Sequence, residues 1–276
     1  MCIRDSVYGE LTNYRSLVTI FKDTQFDGVF HLAAQSHPPT SFRDPIGTMD
    51  TNVMGSANLF QVIQDFQNNC KVMFCSTSEV YGNVGSDGRK IRWDDTILPS
   101  NPYGASKAAT DVYLQERFAN GFMKGFITRA FSHTGPRRGR IFSISSDAYQ
   151  IARMMRGYQE PTLLIGNLST TRVVMDVRDT VRAYYLAMIN PEVKDQIFNV
   201  CGDTPRQMQY FTDKLIELSG LKDVKQKIHQ PFWRPHEIHY QHGDSTNLVE
   251  MTGFQEEYDI DTTLMDLLRY WYDKLS

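Results

Sequence analysis

A chain of 276 residues and 31.8 kDa is long enough to form one large α/β unit or two lobes. Its 41% hydrophobic and 22% charged residues are ordinary for a globular protein, and a net charge of -3 gives no indication of binding to nucleic acid or to anionic membranes. No apolar run approaches the roughly 18 residues that a membrane-spanning helix needs.

Predicted helices and predicted buried strands alternate in the first half of the chain. Continuous short apolar runs are typical of strands in a parallel sheet, whereas apolar residues three and four apart are typical of helices. The pattern predicts helices at 16–23, 48–66 and 102–119, and strands at 26–34, 72–75 and 125–130. The sequence therefore predicts an α/β fold with a parallel sheet in this part of the chain.

The second half of the chain is predicted to build a smaller lobe. The same patterns predict helices at 146–156, 209–219 and 264–275, a helix ending at Met188, a strand or turn at 163–168, and a strand at 197–200. The closing helix carries a stripe of apolar residues, as expected of a helix that covers a core.

A strand end and a helix start bring reactive side chains into the same part of the chain. The strand at 72–75 delivers Thr77 and Glu79 at its carboxyl end. Asn101 and Pro102 predict the start of the next helix, because Asn caps helices and Pro suits their first position.

Tyr103 and Lys107 lie four residues apart, on one face of this helix. An ammonium group beside a phenol, near the positive end of a helix, favours the phenolate. A phenolate can take the proton of a hydroxyl group while a nicotinamide takes its hydride. The pair therefore indicates oxidation of an alcohol, although Tyr-x-x-x-Lys alone occurs by chance in many helices.

The two motifs together resemble a known family. Ser-Thr-Ser-Glu-Val-Tyr-Gly at 76–82 and Asn-Pro-Tyr-Gly-Ala-Ser-Lys at 101–107 are similar to motifs of the extended short-chain dehydrogenase/reductase (NAD-dependent epimerase/dehydratase) family, and within it to GDP-mannose 4,6-dehydratases. The resemblance runs from Val7 to the end of the chain. It implies a Rossmann-like, doubly wound parallel sheet with a smaller C-terminal substrate lobe.

The resemblance also implies that the first β-α-β unit is missing. A dinucleotide-binding fold opens with a strand and a glycine-rich turn, and no Gly-x-Gly-x-x-Gly occurs in this sequence. We therefore expect an N-terminally truncated chain, with a cofactor-binding domain at 1–134 and a substrate-binding lobe at 135–276. Within that lobe, about 172–201 is expected to return to the sheet.

The resemblance assigns four catalytic residues. Tyr103 takes the proton of the sugar C4 hydroxyl, and Lys107 holds the ribose of the cofactor. Thr77 hydrogen-bonds the C4 oxygen, and Glu79 removes the C5 proton before water leaves from C6. These roles imply conversion of GDP-mannose to GDP-4-keto-6-deoxymannose with internal hydride transfer through NADP, with NAD as the alternative cofactor.

Further positions are implied to bind the two ligands. The cofactor-contacting positions are Glu10, Leu11, Leu32, Ala33, Ala34, Gln35, Ser36, Tyr103, Lys107, His133 and Arg138. The substrate-contacting positions are Ser78, Ser132, Arg172 and Arg234.

Three functions stay open from the sequence. The first is the dehydratase. The second is a GDP-4-keto-6-deoxymannose reductase or another nucleotide-sugar epimerase or oxidoreductase, favoured by Asn-Val-Met-Gly at 52–55, His-Thr-Gly-Pro at 133–136 and Asp-Val-Arg-Asp at 176–179. Gly47 and Ser132 replace a Tyr and an Asn of the dehydratase pattern and count against the first function. The third is an inactive nucleotide-sugar-binding fragment. The expected partner is a nucleotide sugar, with neither nucleic acid nor membrane, and the expected assembly is a homodimer or homotetramer.

The cysteines and histidines indicate neither disulfides nor a metal site. Four cysteines without a C-x-x-C pair favour reduced thiols and a cytoplasmic location. His236, His239 and His242 repeat every third residue, but this spacing on a strand does not place all three on one face. We therefore predict no metal.

Overall fold

The computed structural model describes residues 6–67, 69–232 and 237–275. The helices are α1 (Tyr14–Phe21), α2 (Pro38–Arg43), α3 (Pro45–Met49), α4 (Gly55–Phe66), α5 (Pro102–Ala119), α6 (Ser143–Met155), α7 (Val177–Ile189), α8 (Met208–Ser219), α9 (Thr246–Thr252) and α10 (Ile260–Lys274). The strands are β1 (Gly28–His31), β2 (Lys71–Thr77), β3 (Lys124–Ala130), β4 (Ser132–Thr134), β5 (Thr162–Ile165), β6 (Thr171–Asp176), β7 (Gln196–Val200), β8 (Pro205–Gln207), β9 (Lys225–Ile228) and β10 (Tyr240–Gln241). No helix in these ranges is long and apolar enough to cross a bilayer.

The chain divides into two compact units. The first comprises Met1–Gly82, Ile97–Arg129 and Ala187–Phe198, and the second comprises Asn83–Thr96, Ala130–Leu186 and Asn199–Ser276. The chain therefore crosses from one unit to the other several times.

The first unit is built around a sheet with strand order β1-β2-β3-β7. β1 and β2 pair in parallel, with Gly28 opposite Lys71 and His31 opposite Phe74. Helices α1, α4 and α5 contribute apolar side chains to a core that includes Leu17, Phe60, Phe74, Leu114 and Ile127. Strands and helices thus alternate as the sequence predicts, and the carboxyl end of β2 is held by a packed sheet.

A π-helical turn interrupts the helix predicted at 48–66. The chain forms α3, then the π-helical turn Asp50–Met54, then α4. A π-helical turn adds a residue to the helical repeat, so the buried face shifts along the sequence. Asn52 and Ser56 are consequently buried, whereas Val53 is only partly buried.

The second unit contains several short strands. β6 pairs in parallel with β4 and with β10, and antiparallel with β8, while β5 and β9 form a separate parallel pair. Helices α6, α8 and α10 supply its core, which includes Ile151, Phe211, Leu215, Leu264 and Leu267.

The polar loop after the 76–82 motif is anchored within the second unit by Ile91. The side chain of Ile91 is fully buried, and its backbone N–H donates to the carbonyl of His242 at 2.8 Å. Its carbonyl accepts from the backbone N–H of Asp244 and from the side chain of Asn199, each at 2.8 Å. Three hydrogen bonds around one buried residue fix the middle of this loop.

Candidate active site

Helix α5 begins and ends where the sequence predicts. Asn101 has an extended backbone, and its side-chain oxygen accepts from the backbone N–H of Gly104 at 2.8 Å. Pro102 occupies the first helical position, where its missing N–H costs no hydrogen bond. This start places Tyr103 in the first turn and Lys107 one turn later.

Lys107 holds its ammonium group in a buried, apolar place. The residue is 4% exposed, and Nζ lies 4.2 Å from the ring centroid of Phe74. Burial lowers the pKa of Lys107 to about 8, against the opposing influence of Cys75 and Asp111. Among the described residues Nζ has no hydrogen-bond partner. A buried cation in this state fits a ligand that brings hydroxyl groups to it, such as a ribose.

Tyr103 is held through its backbone at both ends. Its N–H donates to the hydroxyl of Ser41 at 3.0 Å, and its carbonyl accepts from the hydroxyl of Ser106 at 2.8 Å. Ser41 is fully buried on α2 and donates in turn to the carbonyl of Pro38 at 2.7 Å. These contacts fix the first turn of α5 against α2. No pattern in the sequence points to Ser41.

Thr77 and Glu79 lie in and just after the end of β2. Ser78–Tyr81 form a 3-10 turn, and the hydroxyl oxygen of Thr77 caps it by accepting from the backbone N–H of Glu79 at 3.2 Å. Among the described residues the hydroxyl proton of Thr77 has no acceptor, so it is available to a ligand oxygen. The carboxylate of Glu79 accepts from the side-chain amide of Asn101 at 2.6 Å.

A buried ion pair supports these elements from behind. Arg129 on β3 donates through Nε and Nη2 to the two carboxylate oxygens of Asp111 on α5, each at 3.0 Å. Its Nη1 donates to the hydroxyl of Tyr81 at 2.9 Å, and Ser76 donates to Asp111 at 2.7 Å. A bidentate pair with further hydrogen bonds is the geometry that offsets the cost of burying two charges. The network joins β2, β3, α5 and the 3-10 turn.

The turn after β1 leaves its small and apolar residues open. Leu32 is 58% exposed, Ala33 and Ser36 are also exposed, and Ala34 is half-buried. An open stretch of small side chains lets a flat ligand approach the backbone closely. This exposure and the unpartnered ammonium of Lys107 are the features of the first unit that fit a dinucleotide.

Asn52 fixes this turn and is a residue that the sequence analysis does not assign to the site. Its side chain accepts from the N–H of Gln35 at 2.8 Å and donates to the carbonyl of Gln35 at 3.0 Å. It also donates to the hydroxyl of Ser106 on α5 at 2.9 Å. Asn52 is 1% exposed and therefore links the turn after β1 to the helix of Tyr103 and Lys107.

His31 lies under the same region as a neutral ring. Its Nε2 is 2.8 Å from the hydroxyl of Ser56, and Phe60 and Phe74 flank the ring. Burial, reinforced by the charge of Lys107, lowers the pKa of His31 to about 3. His31 is therefore uncharged near neutral pH and adds no second cation beside Lys107.

Glu10 and Leu11 form a local turn before α1. The carboxylate of Glu10 accepts from the N–H of Thr12 at 3.3 Å and from its hydroxyl at 3.1 Å. The carbonyl of Leu11 accepts from Asn58 at 2.9 Å. Their contact with a cofactor stays a prediction.

The second unit carries the other predicted binding residues. Nδ1 of His133 is 3.0 Å from the carbonyl of Phe131, and burial, reinforced by Arg138, lowers the pKa of His133 to about 4. Arg138 stacks over Phe142, with 3.6 Å from its guanidinium carbon to the ring centroid. Ser132 is half-buried at the start of β4.

Arg172 is largely buried and is held by the segment that begins at Glu237. It donates to the carbonyl of Ile238 at 2.5 Å and forms an ion pair with Glu237 at 3.6 Å. Arg234 and His236 lie outside the described residues. In the described ranges no group of His, Cys, Asp or Glu could hold a metal ion.

A family model for "GDP-mannose 4,6 dehydratase" matches residues 4–267. The chain belongs to this family. Over 253 residues it is 31% identical to the GDP-6-deoxy-D-mannose reductase of Pseudomonas aeruginosa, a match that covers 90% of this chain and 81% of the reductase. Over 287 residues it is 25% identical to the human GDP-mannose 4,6 dehydratase, covering 95% of this chain and 74% of that enzyme.

Solved structures agree with this membership. A structure of RMD from Pseudomonas aeruginosa complexed with NADPH is 27% identical, with a TM-score of 0.91 over 99% of this chain and 90% of that chain. The dTDP-glucose 4,6-dehydratase DesIV from Streptomyces venezuelae is similar in fold, with 21% identity and a TM-score of 0.85 over 97% of this chain and 79% of that chain. The predicted family and the predicted Rossmann-like α/β fold are both confirmed, and the chain is a member of a family of nucleotide-sugar dehydratases and reductases.

Proposed function

We propose that this protein is a nucleotide-sugar 4,6-dehydratase that converts GDP-mannose to GDP-4-keto-6-deoxymannose. The observation that carries the proposal is the carboxylate of Glu79, held at 2.6 Å by the residue that caps the helix of Tyr103 and Lys107. Oxidation at C4 needs a base such as Tyr103, but elimination of water across C5 and C6 needs a second base at C5. A fixed carboxylate next to this helix start supplies one.

NADP is the cofactor of the proposal, and NAD is the alternative. RMD, the relative with a TM-score of 0.91, is complexed with NADPH. In this chain Lys107 would hold the ribose, and the open turn at Leu32–Ser36 would lie against the dinucleotide. When bound, the nicotinamide supplies the chemistry of accepting a hydride from C4 and giving it back at C6.

The chain's own residues manage the protons of the reaction. Tyr103 takes the proton of the C4 hydroxyl, and the free hydroxyl proton of Thr77 hydrogen-bonds the C4 oxygen as charge develops there. The ketone at C4 acidifies the C5 hydrogen, which Glu79 removes. Glu79 then gives this proton to the leaving C6 hydroxyl, so that water departs. The proton on Tyr103 returns to C5, and both bases are restored.

A reductase acting on the 4-keto-6-deoxy sugar is the second candidate. The observation in its favour is the 31% identity to the GDP-6-deoxy-D-mannose reductase. Such an enzyme uses Tyr103 as the proton donor to the C4 oxygen and needs no base at C5. The role of Glu79 therefore separates the two candidates.

The test compares Glu79→Gln with Tyr103→Phe. The purified protein is incubated with GDP-mannose and NADP⁺, and nicotinamide absorbance and product mass are followed together. Glu79→Gln should build up reduced nicotinamide while the sugar keeps its C6 hydroxyl. Tyr103→Phe should show no reduction at all. Loss of a general base typically costs a factor of about 10² to 10⁴ in rate, which is large enough to separate the steps.

Each alternative has its own signature in the same assay. Glu250→Gln, at an exposed position of α9, is the matched control and should behave as the parent protein. A near-normal rate for Glu79→Gln, with consumption of NADPH when the 4-keto-6-deoxy sugar is supplied, would establish the reductase. Tight nucleotide-sugar binding without turnover of either sugar would identify an inactive binding protein.

The assembly and the remaining binding residues belong to the same proposal. We expect a homodimer or homotetramer in the cytoplasm, which size-exclusion chromatography with light scattering can measure. His133, Arg138 and Arg172 stay predicted ligand contacts, to be tested by their effects on Kd for NADPH and for GDP-mannose.

A further inference from the structure

The side chain of Asn101 makes two contacts that serve different purposes. Its carbonyl oxygen accepts from the N–H of Gly104 at 2.8 Å and caps α5, while its amide nitrogen donates to Glu79 at 2.6 Å. Asn101 is 8% exposed. We propose that Asn101 is a positioning residue, which holds the carboxylate of Glu79 in the orientation for proton transfer at C5. This proposal rests on the dehydratase function proposed above.

Only one orientation of the Asn101 amide satisfies both neighbours. Gly104 presents an N–H, which needs an acceptor, and an ionised Glu79 presents only acceptors. Rotating the amide by half a turn would set N–H against N–H and oxygen against oxygen. The observed arrangement therefore requires the acceptor on the helix side and the donor on the Glu79 side.

Capping alone does not account for an asparagine here. Asn, Asp and Ser cap helices about equally well, because each offers an oxygen to the first free N–H groups. Of these three, only Asn carries the acceptor and the donor on two separate atoms, whereas Ser has a single oxygen for both contacts and an ionised Asp has no donor. The second contact is short, as expected for a hydrogen bond to a charged acceptor.

The backbone around Glu79 is fixed to the same helix turn. A Cβ at Gly104 would lie 2.6 Å from the carbonyl oxygen of Glu79, so the first turn of α5 and the 3-10 turn approach each other closely. The Asn101 amide adds a contact to the side chain of Glu79, at its carboxylate. The base at C5 is thereby oriented by the helix that carries Tyr103.

Substitutions at Asn101 leave the other titratable groups around Glu79 in place. Those carried by the turn, by the end of β2 and by the first three turns of α5 are Tyr81, Cys75, Tyr103, Lys107 and Asp111. Asp111 accepts hydrogen bonds from Arg129 and Ser76, and the hydroxyl of Tyr81 accepts one from Arg129.

The experiment uses Asn101→Ser and Asn101→Asp, with Asn13→Ser and Asn13→Asp as matched controls. Asn13 caps α1 by accepting from the N–H of Ser16 at 3.3 Å and is exposed. All four variants keep a good cap. The measurements are exchange of the C5 hydrogen with deuterated solvent, nicotinamide reduction at C4, the pH profile of water elimination, and thermal unfolding.

We expect Asn101→Ser to slow C5 exchange about 10- to 100-fold, because a base out of position loses rate on this scale, with little change in C4 oxidation or in Tm. In Asn101→Asp a second carboxylate beside Glu79 disfavours its ionised form. The acid limb of the elimination profile should therefore move to higher pH by about one unit or more. The Asn13 variants should change neither the rate of C5 exchange nor the pH profile of elimination. If both Asn101 variants match the parent in C5 exchange and in pH profile, Asn101 is only a cap and the proposal fails.

A measurement without turnover separates this proposal from the dehydratase function. The pH midpoint of the Glu79 carboxyl resonance is read by NMR on ¹³C-labelled glutamate, assigned by its absence in Glu79→Gln. It should rise in Asn101→Asp and stay unchanged in Asn13→Asp. A protein that eliminates no water but shows this rise contradicts the dehydratase function alone. An unchanged midpoint in a protein that does eliminate water contradicts the role of Asn101 alone.

Discussion

Burial disfavours the charged form of Lys107. Its ammonium group has an aromatic ring beside it and no hydrogen-bond partner among the described residues. Leaving a buried cation without hydrogen bonds costs stability, and residues kept in such a state usually serve a ligand. The lowered pKa, about 8, is the measurable trace of this cost.

Replacing Lys107 by Met should raise stability and weaken cofactor binding at the same time. Met keeps the length of the side chain and removes the unpartnered charge. NADPH titrated by its fluorescence should bind the parent protein more weakly as the pH rises through about 8, because the ammonium form is lost there. Lys107→Met should bind weakly at every pH and unfold at a higher Tm. Lys124→Met, at an exposed position, is the control. Unchanged NADPH affinity in Lys107→Met would contradict the role of Lys107.

The residues proposed to carry the reaction could be named from the sequence, whereas Asn52, which holds their helix, could not. Tyr103, Lys107, Thr77 and Glu79 follow from motif and spacing. Asn52 does not, because a polar residue in a helical stretch is normally read as solvent-exposed. Its burial depends on the π-helical turn at Asp50–Met54, which a regular helical repeat cannot reveal.

Among the elements, α5 was predicted to the residue because its signals are local. Asn101 and Pro102 define its start by chemistry that operates within one turn. The short strands of the second unit carry no such signal. β8 has three residues and β10 has two, so neither is long enough for an alternating pattern, and both exist only because β6 lies beside them.

The close packing of α5 against the 3-10 turn depends on Gly104. Alanine in a helix is favoured over glycine by about 1 kcal/mol, so Gly104→Ala would stabilise an isolated helix. Here its Cβ would lie 2.6 Å from the carbonyl oxygen of Glu79, a backbone atom that cannot swing away. Forcing extra volume into a packed place costs typically 1–3 kcal/mol, so the clash outweighs the propensity.

We therefore expect Gly104→Ala to lower both Tm and the rate of water elimination, the latter by about 10-fold or more. Ala109→Gly, the reverse substitution on the exposed face of the same helix, is the control. It should lose about 1 kcal/mol of stability by propensity and keep its activity. A Gly104→Ala protein with raised Tm and full activity would show that α5 does not depend on this contact.

At the scale of the whole molecule, the proposed reactive groups belong to the first unit, and a buried carboxyl group that makes stability depend on pH belongs to the second. Asp147 on α6 is 3% exposed in the core of the second unit. Its carboxyl accepts from the hydroxyl of Thr212 on α8 at 2.7 Å. Burial raises the pKa of Asp147 from 3.8 to about 7, and the hydrogen bond from Thr212 opposes this only partly.

The sign of the resulting pH dependence follows from proton counting. Between pH about 4 and about 7 the folded second unit keeps the proton of Asp147, while the unfolded chain has lost it. The folded state then binds more protons, so the free energy of unfolding falls as the pH rises, with a slope of at most about 1.4 kcal/mol per pH unit. Above about 7 both states are ionised and the loss is complete.

Asp147→Asn should remove this slope, because the amide resembles the protonated carboxyl and still accepts from Thr212. The parent and variant are compared by urea unfolding from pH 4.5 to 8, followed by tryptophan fluorescence, since Trp93 and Trp271 both lie in the second unit. His31 and His133 contribute slopes of the opposite sign, since their folded pKa values are lowered, but they are present in both proteins and cancel in the difference. The stability advantage of Asp147→Asn should therefore grow with pH up to about 7 and then level off, whereas Asp23→Asn, at an exposed site, should show no such trend. A difference that is independent of pH would mean that Asp147 is ionised in the folded protein throughout this range.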